Sequence, residues 1–271
     1  MINAYRPESI DELLKILDQE TCHIFAGGTD LMIRKRQWQG AERKFTQSVA
    51  YIIQLEELRG IWEDENFYEI GTLTTQTDIV ESNLPEYIKE PYRLMSSPAI
   101  RNVATVGGNI VNAAAVADSL PILYALDAQV ELMSIDGVRR IPVEDFVVGK
   151  YRTLRKDNEL LTKVIVPKYE ASGYFYKKLG QRKASILSKV SVFILYQKSD
   201  VRIAIGAIND TVIRSKSIEY AFMNDLNISD MMIGYQGLMS GKDDKRSTKN
   251  YRETVAINLI QNYLKEIVDE L

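Results

Sequence analysis

Thr105-Val106-Gly107-Gly108-Asn109-Ile110 repeats at a distance the pattern of Ala26-Gly27-Gly28-Thr29-Asp30-Leu31. In both, an apolar run stops at two glycines and a small polar residue follows. Glycine pairs admit positive φ angles and close approach of a ligand to the backbone, so consecutive N–H groups can converge on an anionic oxygen. Thr29 and Asn109 add side-chain donors, and two such turns suit a pyrophosphate gripped from both sides without a lysine. The plain alternative for any single Gly-Gly is a tight turn. The patterns GxGxxG and GxxxxGK[ST] are both absent, which argues against a conventional dinucleotide fold or phosphate loop.

The segments around the turns alternate helix and strand. Ser9-Ile10-Asp11-Glu12 reads as a capping box ahead of Leu13, Leu14 and Leu17 at helical spacing. Cys22 to Ala26 reads as a buried strand entering the first turn, with further strands expected at Tyr51 to Leu55 and Phe67 to Leu73. Residues 75–97 turn helical until Pro98 interrupts them. After a helix near Asp118 to Leu126, the runs Gln129 to Met133 and Val138 to Val143 flank Asp136-Gly137, a strong hairpin signal. The β-branched run Leu160 to Val166 stops at Pro167, and a domain boundary is expected in the polar stretch that follows. Beyond it, Tyr174 to Leu179, Val190 to Tyr196 and Val201 to Ile208 suggest a three-stranded meander. Helical pattern then runs from Ser215 to Leu271.

The 271 residues carry a formal charge of −3, which disfavours a nucleic-acid partner. Met1 to Pro7 shows no secretory signal and no run approaches a membrane span, so a cytoplasmic location is the default expectation. Cys22 is the single cysteine, too few for an iron–sulfur cluster held by this chain, and His23 is the single histidine. Triads, His-based zinc sites and imidazole acid–base chemistry lose weight accordingly, and no catalytic or metal-ligating side chain stands out. Any hard chemistry must come from a cofactor.

The first turn, Ser97-Pro98-Ala99-Ile100-Arg101-Asn102-Val103-Ala104-Thr105-Val106-Gly107-Gly108-Asn109 and Ala117-Asp118-Ser119-Leu120-Pro121 together resemble the FAD-binding medium subunits of molybdenum hydroxylases, the xanthine dehydrogenase and carbon monoxide dehydrogenase flavoproteins. Gly71 to Thr75, Leu126 to Ala128, Pro142 to Phe146, Glu159 to Leu161, Lys178 to Arg182, Ser188 to Ser191, Gly206-Ala207 and Tyr251-Arg252 extend the likeness over nearly the whole chain. It implies an α+β fold. An FAD-binding domain of the vanillyl-alcohol oxidase type occupies residues 1–168, in two α+β lobes of about 1–55 and 56–168, and a C-terminal domain of three antiparallel strands plus helices occupies 169–271.

The resemblance further implies non-covalent FAD, because Thr29 stands where some relatives of the wider fold tether the flavin through histidine. It places cofactor contacts at Ile24, Phe25, Ala26, Gly27, Gly28, Thr29, Asp30, Leu31, Met95, Thr105, Val106, Gly107, Gly108, Asn109, Asp118, Leu161 and Lys189. It implies a large molybdopterin-binding partner, a small partner with 2Fe-2S clusters, and NAD or another terminal acceptor. Taken by their residue type alone, Asp118 reads equally as a helix cap, Lys189 as a solvated lysine and Met95 as core packing. Cys22 and His23 read as packing residues, and Asp30 as a carboxylate bonding amides of its own turn. The segment Asn112 to Ala117 departs from the family, which often has Ser-Pro there. A self-sufficient flavin oxidase and an assembly subunit without FAD remain the alternative functions.

Overall fold

A computed structural model describes residues 2–36, 38, 40–42, 44–182, 187–224, 227–267 and 271. The chain opens with β1 (Ala4–Tyr5), α1 (Ile10–Gln19), β2 (Cys22–Phe25), α2 (Leu31–Arg34) and β3 (Ser48–Tyr51), whose strands form a parallel sheet ordered β1-β3-β2. Ser9 caps α1, its Oγ accepting from Glu12 N at 3.2 Å, and Leu13, Leu14 and Leu17 are buried on one face. They pack with Ala50, Ile52, Leu73 and Leu160. The strand expected at Tyr51 to Leu55 lies earlier, at Ser48–Tyr51, because the chain bends into a turn after Tyr51.

The middle of the chain contributes β4 (Ile61–Glu63), β5 (Phe67–Gly71), α3 (Gln76–Glu81), α4 (Glu86–Arg93), α5 (Pro98–Arg101), α6 (Val106–Asn112) and α7 (Ser119–Ala125). It continues through β6 (Gln129–Ser134), β7 (Gly137–Pro142), α8 (Val143–Phe146), β8 (Val147–Gly149), β9 (Arg152–Thr153) and β10 (Leu160–Pro167). Five of these strands make an antiparallel sheet ordered β4-β5-β10-β6-β7, and β8 pairs with β9. The hairpin read at Asp136-Gly137 joins β6 to β7, with Gly137 at φ 133°. Pro98 does not simply interrupt a helix. It sits at the first position of α5, where a missing N–H costs nothing, and Ser97 caps it.

Strands β11 (Gly173–Leu179), β12 (Val190–Gln197) and β13 (Asp200–Gly206) form the antiparallel meander, followed by α9 (Lys216–Met223), α10 (Ile228–Leu238) and α11 (Lys249–Ile267). The near-continuous apolar run of β12 is buried on both faces. Phe193 and Leu195 pack toward α4 and α7, whereas Val192 and Ile194 face Met231, Tyr235, Ala256 and Ile260 of the closing helices. The fold is α+β, with one core cluster running from the middle sheet into β11–β13.

An ion network reinforces that junction. Asp127, in the left-handed region at φ 52°, meets Lys216 at 2.7 Å, Arg214 at 2.9 Å and Arg202 at 3.2 Å. Burial raises the Asp127 carboxyl pKa, but the Lys216 hydrogen bond and the fields of Arg214, Lys216 and Arg202 outweigh it and hold the group below its ordinary value. A depressed folded-state pKa contributes stability above the unfolded value that is lost as pH falls through the folded one. Asp127→Asn keeps the turn-tolerant amide shape and removes the charge. It should cost about 1–2 kcal/mol at pH 7 after allowance for partial exposure. In urea titrations across pH, its deficit against wild type should shrink below about pH 4.

Candidate functional site

The strand β2 delivers the chain to the first glycine turn, and geometry there admits no side chain. A Cβ on Gly27 would lie 1.7 Å from the Val103 carbonyl oxygen, so the turn presses directly on the backbone just ahead of the second glycine pair. Gly28 takes φ +68°, and its Cβ would strike the Phe25 ring at 2.3 Å. Among the described residues the backbone N–H groups of Gly27, Gly28, Thr29, Asp30 and Leu31 have no protein acceptor. Five consecutive donors thus stand open along the first turn.

The second turn is built differently. Gly107 and Gly108 lie within α6 and neither has positive φ, contrary to the expectation of a glycine turn with positive φ. Thr105 is the N-cap, its Oγ1 accepting from Gly108 N at 3.1 Å, and the amides of Val106, Gly107 and Asn109 bond to Thr74 O, Thr72 O and Thr105 O. The amide nest expected at this turn is therefore already satisfied by protein. Glycine is needed at 107 because a Cβ would sit 1.7 Å from Thr72 Oγ1. At 108 only Thr105 Oγ1, at 2.9 Å, lies within 4 Å of the Cβ position.

Between the turns opens a cavity of about 370 Å³. Its lining includes Ile24, Ala26, Gly27, Gly28, Thr29, Asp30, Leu31, Met95, Thr105, Gly107, Gly108, Asn109 and Leu161, all expected from the sequence. Met95 is held by Arg101, whose Nη1 donates to Met95 O at 2.8 Å and Ser96 O at 3.2 Å. Asn109 accepts from Ser119 Oγ. Among the described residues the Asp30 carboxylate bonds no amide of its own turn. Its Oδ2 accepts from Asn112 Nδ2 at 2.9 Å, and Asn112 Oδ1 takes Arg34 Nη1 at 3.0 Å, bridging the first turn to α6.

The lining also contains residues that sequence reasoning did not select: His23, Arg34, Thr72, Gln76, Asn112 and Arg155. Burial lowers the His23 pKa, aided by Lys35, Arg155 and Arg34, so the ring is neutral at pH 7. The one legible signal was adjacency, since His23 precedes the first turn and Gln76 follows Gly71 to Thr75.

Four expected residues do not line the cavity. Phe25 packs against Tyr51 in a tilted arrangement with centroids 4.9 Å apart, and Val106 is fully buried in the core. Lys189 Nζ lies 5.4 Å from the Tyr251 ring centre. Asp118, 5% exposed, occupies the N-cap position of α7 but makes no capping bond; its Oδ2 takes Lys178 Nζ at 2.7 Å and Oδ1 takes Ser188 Oγ at 2.6 Å. Burial raises the Asp118 pKa, with Lys178 and Ser188 opposing. Asp118→Ala would leave the buried Lys178 ammonium uncompensated and should destabilise by about 3–5 kcal/mol, measured by urea unfolding. The double variant Asp118→Leu/Lys178→Met should recover most of that loss.

Residues 1–169 match the family model described as FAD binding domain in molybdopterin dehydrogenase. The glyceraldehyde dehydrogenase medium chain of Sulfolobus acidocaldarius is 28% identical across 97% of this chain and 96% of its own. A xanthine dehydrogenase FAD-binding subunit of Escherichia coli O157:H7 is 27% identical across 98% and 94%. In fold, the chain superposes on a chain of carbon monoxide dehydrogenase from Hydrogenophaga pseudoflava with TM-score 0.85 at 24% identity, covering 96% of this chain and 95% of that one. With the family model spanning well over half its length, the chain belongs to the family of FAD-binding domains of molybdopterin dehydrogenases.

Proposed function

We propose that this chain binds FAD non-covalently in the cavity between the glycine turns and serves as the flavin-bearing electron-transfer subunit of a molybdopterin-dependent oxidoreductase. The observation that carries the reading is the run of five backbone N–H groups at Gly27–Leu31, on the wall of the cavity, without a protein acceptor among the described residues. Such a run fits an anionic diphosphate, and the cavity volume lies in the range of small-molecule pockets. The Cβ position of Gly108, almost empty of protein atoms, fits a backbone approached closely by ligand.

In this reading the first turn holds the diphosphate, while Ile24, Met95 and Leu161 supply apolar surface to the ring systems. Thr105, Gly107 and Gly108 shape the opposite wall rather than donate. Bound FAD would supply a redox group that accepts electrons singly and releases them in pairs. This chain's residues position it and exclude water, which agrees with the scarcity of nucleophiles and imidazole. Electrons would arrive from iron–sulfur clusters on a small partner, after substrate oxidation at molybdopterin on a large one, and leave to NAD or another acceptor. The family membership and the full-length likeness to a medium chain and an FAD-binding subunit support that division of labour.

An absorbance spectrum of the purified full chain, before and after FAD addition and again after denaturation, tests the reading. The expected result is uptake of FAD that is released on denaturation; folded protein that takes up none would sink it. Gly108→Val adds a branched side chain at the open wall and crowds Thr105 Oγ1. It should weaken FAD binding at least tenfold, by roughly 1.4 kcal/mol or more. Stoichiometric FAD on a folded variant would show that ligand does not approach Gly108.

A further inference from the structure

Arg34 follows the first glycine turn and lines the cavity, and a second cation reaches the same cavity from a distant part of the chain. Arg155 stands in the polar link between β9 and β10, and its side chain reaches the cavity wall formed by β2 and the start of β10. Only one of its guanidinium nitrogens is engaged by protein among the described residues. Nη1 donates to the carbonyls of Lys156 at 2.9 Å, Asp157 at 3.4 Å and Glu159 at 2.7 Å. Nε and Nη2 have no protein acceptor there.

Asp157 and Glu159 act on the Arg155 guanidinium through space, but neither pairs with it. Glu159, four residues on, gives both carboxylate oxygens to Arg139, at 2.6 and 2.8 Å, and accepts Lys156 N at 2.7 Å. Among the described residues no carboxylate lies within ion-pair distance of Arg155. The other charged groups of the lining are occupied as well. Arg34 bonds Asn112 and lies 4.5 Å from the Tyr151 ring centre, and Asp30 accepts from Asn112. Ile24, Ile52, Leu160 and Leu161 contribute apolar surface to the cavity that Arg155 lines. A part-buried guanidinium without an ion-pair partner is costly, and a ligand anion offsets the cost.

We propose that Arg155 is a ligand-contacting residue of the cavity, its free guanidinium edge pairing with the diphosphate of the bound nucleotide cofactor. The inference rests on the FAD reading above for the identity of the ligand, and on the geometry alone for the class of anion. The three carbonyls hold Nη1 and so fix the plane of the guanidinium, leaving its remaining donors pre-oriented for phosphate oxygens. Backbone donors of the first turn and one cation from outside every motif would then share the diphosphate.

The test uses the full chain, with FAD and riboflavin titrated by flavin fluorescence and ADP by calorimetry, for wild type, Arg155→Leu and Arg155→Lys. Arg155→Leu should weaken FAD and ADP about tenfold or more. Riboflavin, which has no phosphate, should bind within about twofold of wild type, and Arg155→Lys should recover part of the loss for FAD and ADP. The dependence of FAD affinity on salt should also flatten in Arg155→Leu. FAD and ADP affinities unchanged in a folded Arg155→Leu protein would overturn the proposal, as would an equal loss for riboflavin. Should Arg155→Leu fail to fold, Arg155→Gln takes its place with the same criteria. Wild type that binds ADP but not FAD would refute the flavin reading and leave the pairing to be judged on ADP; wild type that binds neither would overturn the pairing.

Discussion

The contact between Gly27 and the Val103 carbonyl constrains the rest of the site. A Cβ there would stand 1.7 Å from a backbone oxygen, so the first turn can meet the segment ahead of α6 only as glycine. That contact fixes the spacing between the parallel sheet of β1–β3 and the elements around the antiparallel sheet. It also brings the open amides of residues 27–31 opposite α6. The contact of Gly107 with Thr72 sets the other wall in the same way. Both glycines serve close approach of protein to protein, and the ligand-sized space is what remains between them. Gly28 is the one member of the two pairs that uses a positive φ.

Buried polar contacts carry that geometry into the C-terminal meander. Ser119 donates to Asn109 on the cavity wall, and the neighbouring Asp118 binds Lys178 of β11 and Ser188 ahead of β12. Asp127, at the far end of α7, binds Arg202 of β13 along with Arg214 and Lys216. Both ends of α7 are therefore anchored to the same sheet, one through a fully desolvated pair and the other through a partly exposed cluster. The desolvated pair adds little net stability against apolar substitutes, but loss of either partner is expensive, so it acts mainly to specify the packing. Asp118 thereby supports the cavity from behind.

The parts of the fold legible in the sequence were those encoded locally. The capping box at Ser9, the Asp136-Gly137 hairpin and the two-faced apolar run of β12 each leave a signature within a few residues. The Gly107-Gly108 pair misled, because Thr105 caps a helix there and the cap becomes visible only when the backbone is seen. Asp30 misled for a related reason: its partner, Asn112, is distant in sequence. Arg155 carried no signal at all. It sits among Lys156, Asp157 and Asn158 like any solvated link, and its meaning depends on Arg139 having taken Glu159. Charge balance around a cavity is a long-range property, and residue spacing does not record it.

The two walls therefore differ in kind. On the first, the backbone donors of residues 27–31 have no acceptor among the described residues, beside the close contact of Gly27 with Val103. On the second, every amide from Val106 to Asn109 is consumed by Thr72, Thr74 and Thr105, leaving a rigid, uncharged surface. A phosphate is favoured where donors are unmet and not where they are met, so on the proposed reading the asymmetry would orient an anionic ligand before any side chain contributes. Cys22 and His23, the residues most able to react, are held as a buried thiol and a neutral ring within β2. The chain thus supplies placement and field, and leaves electron chemistry to what it holds.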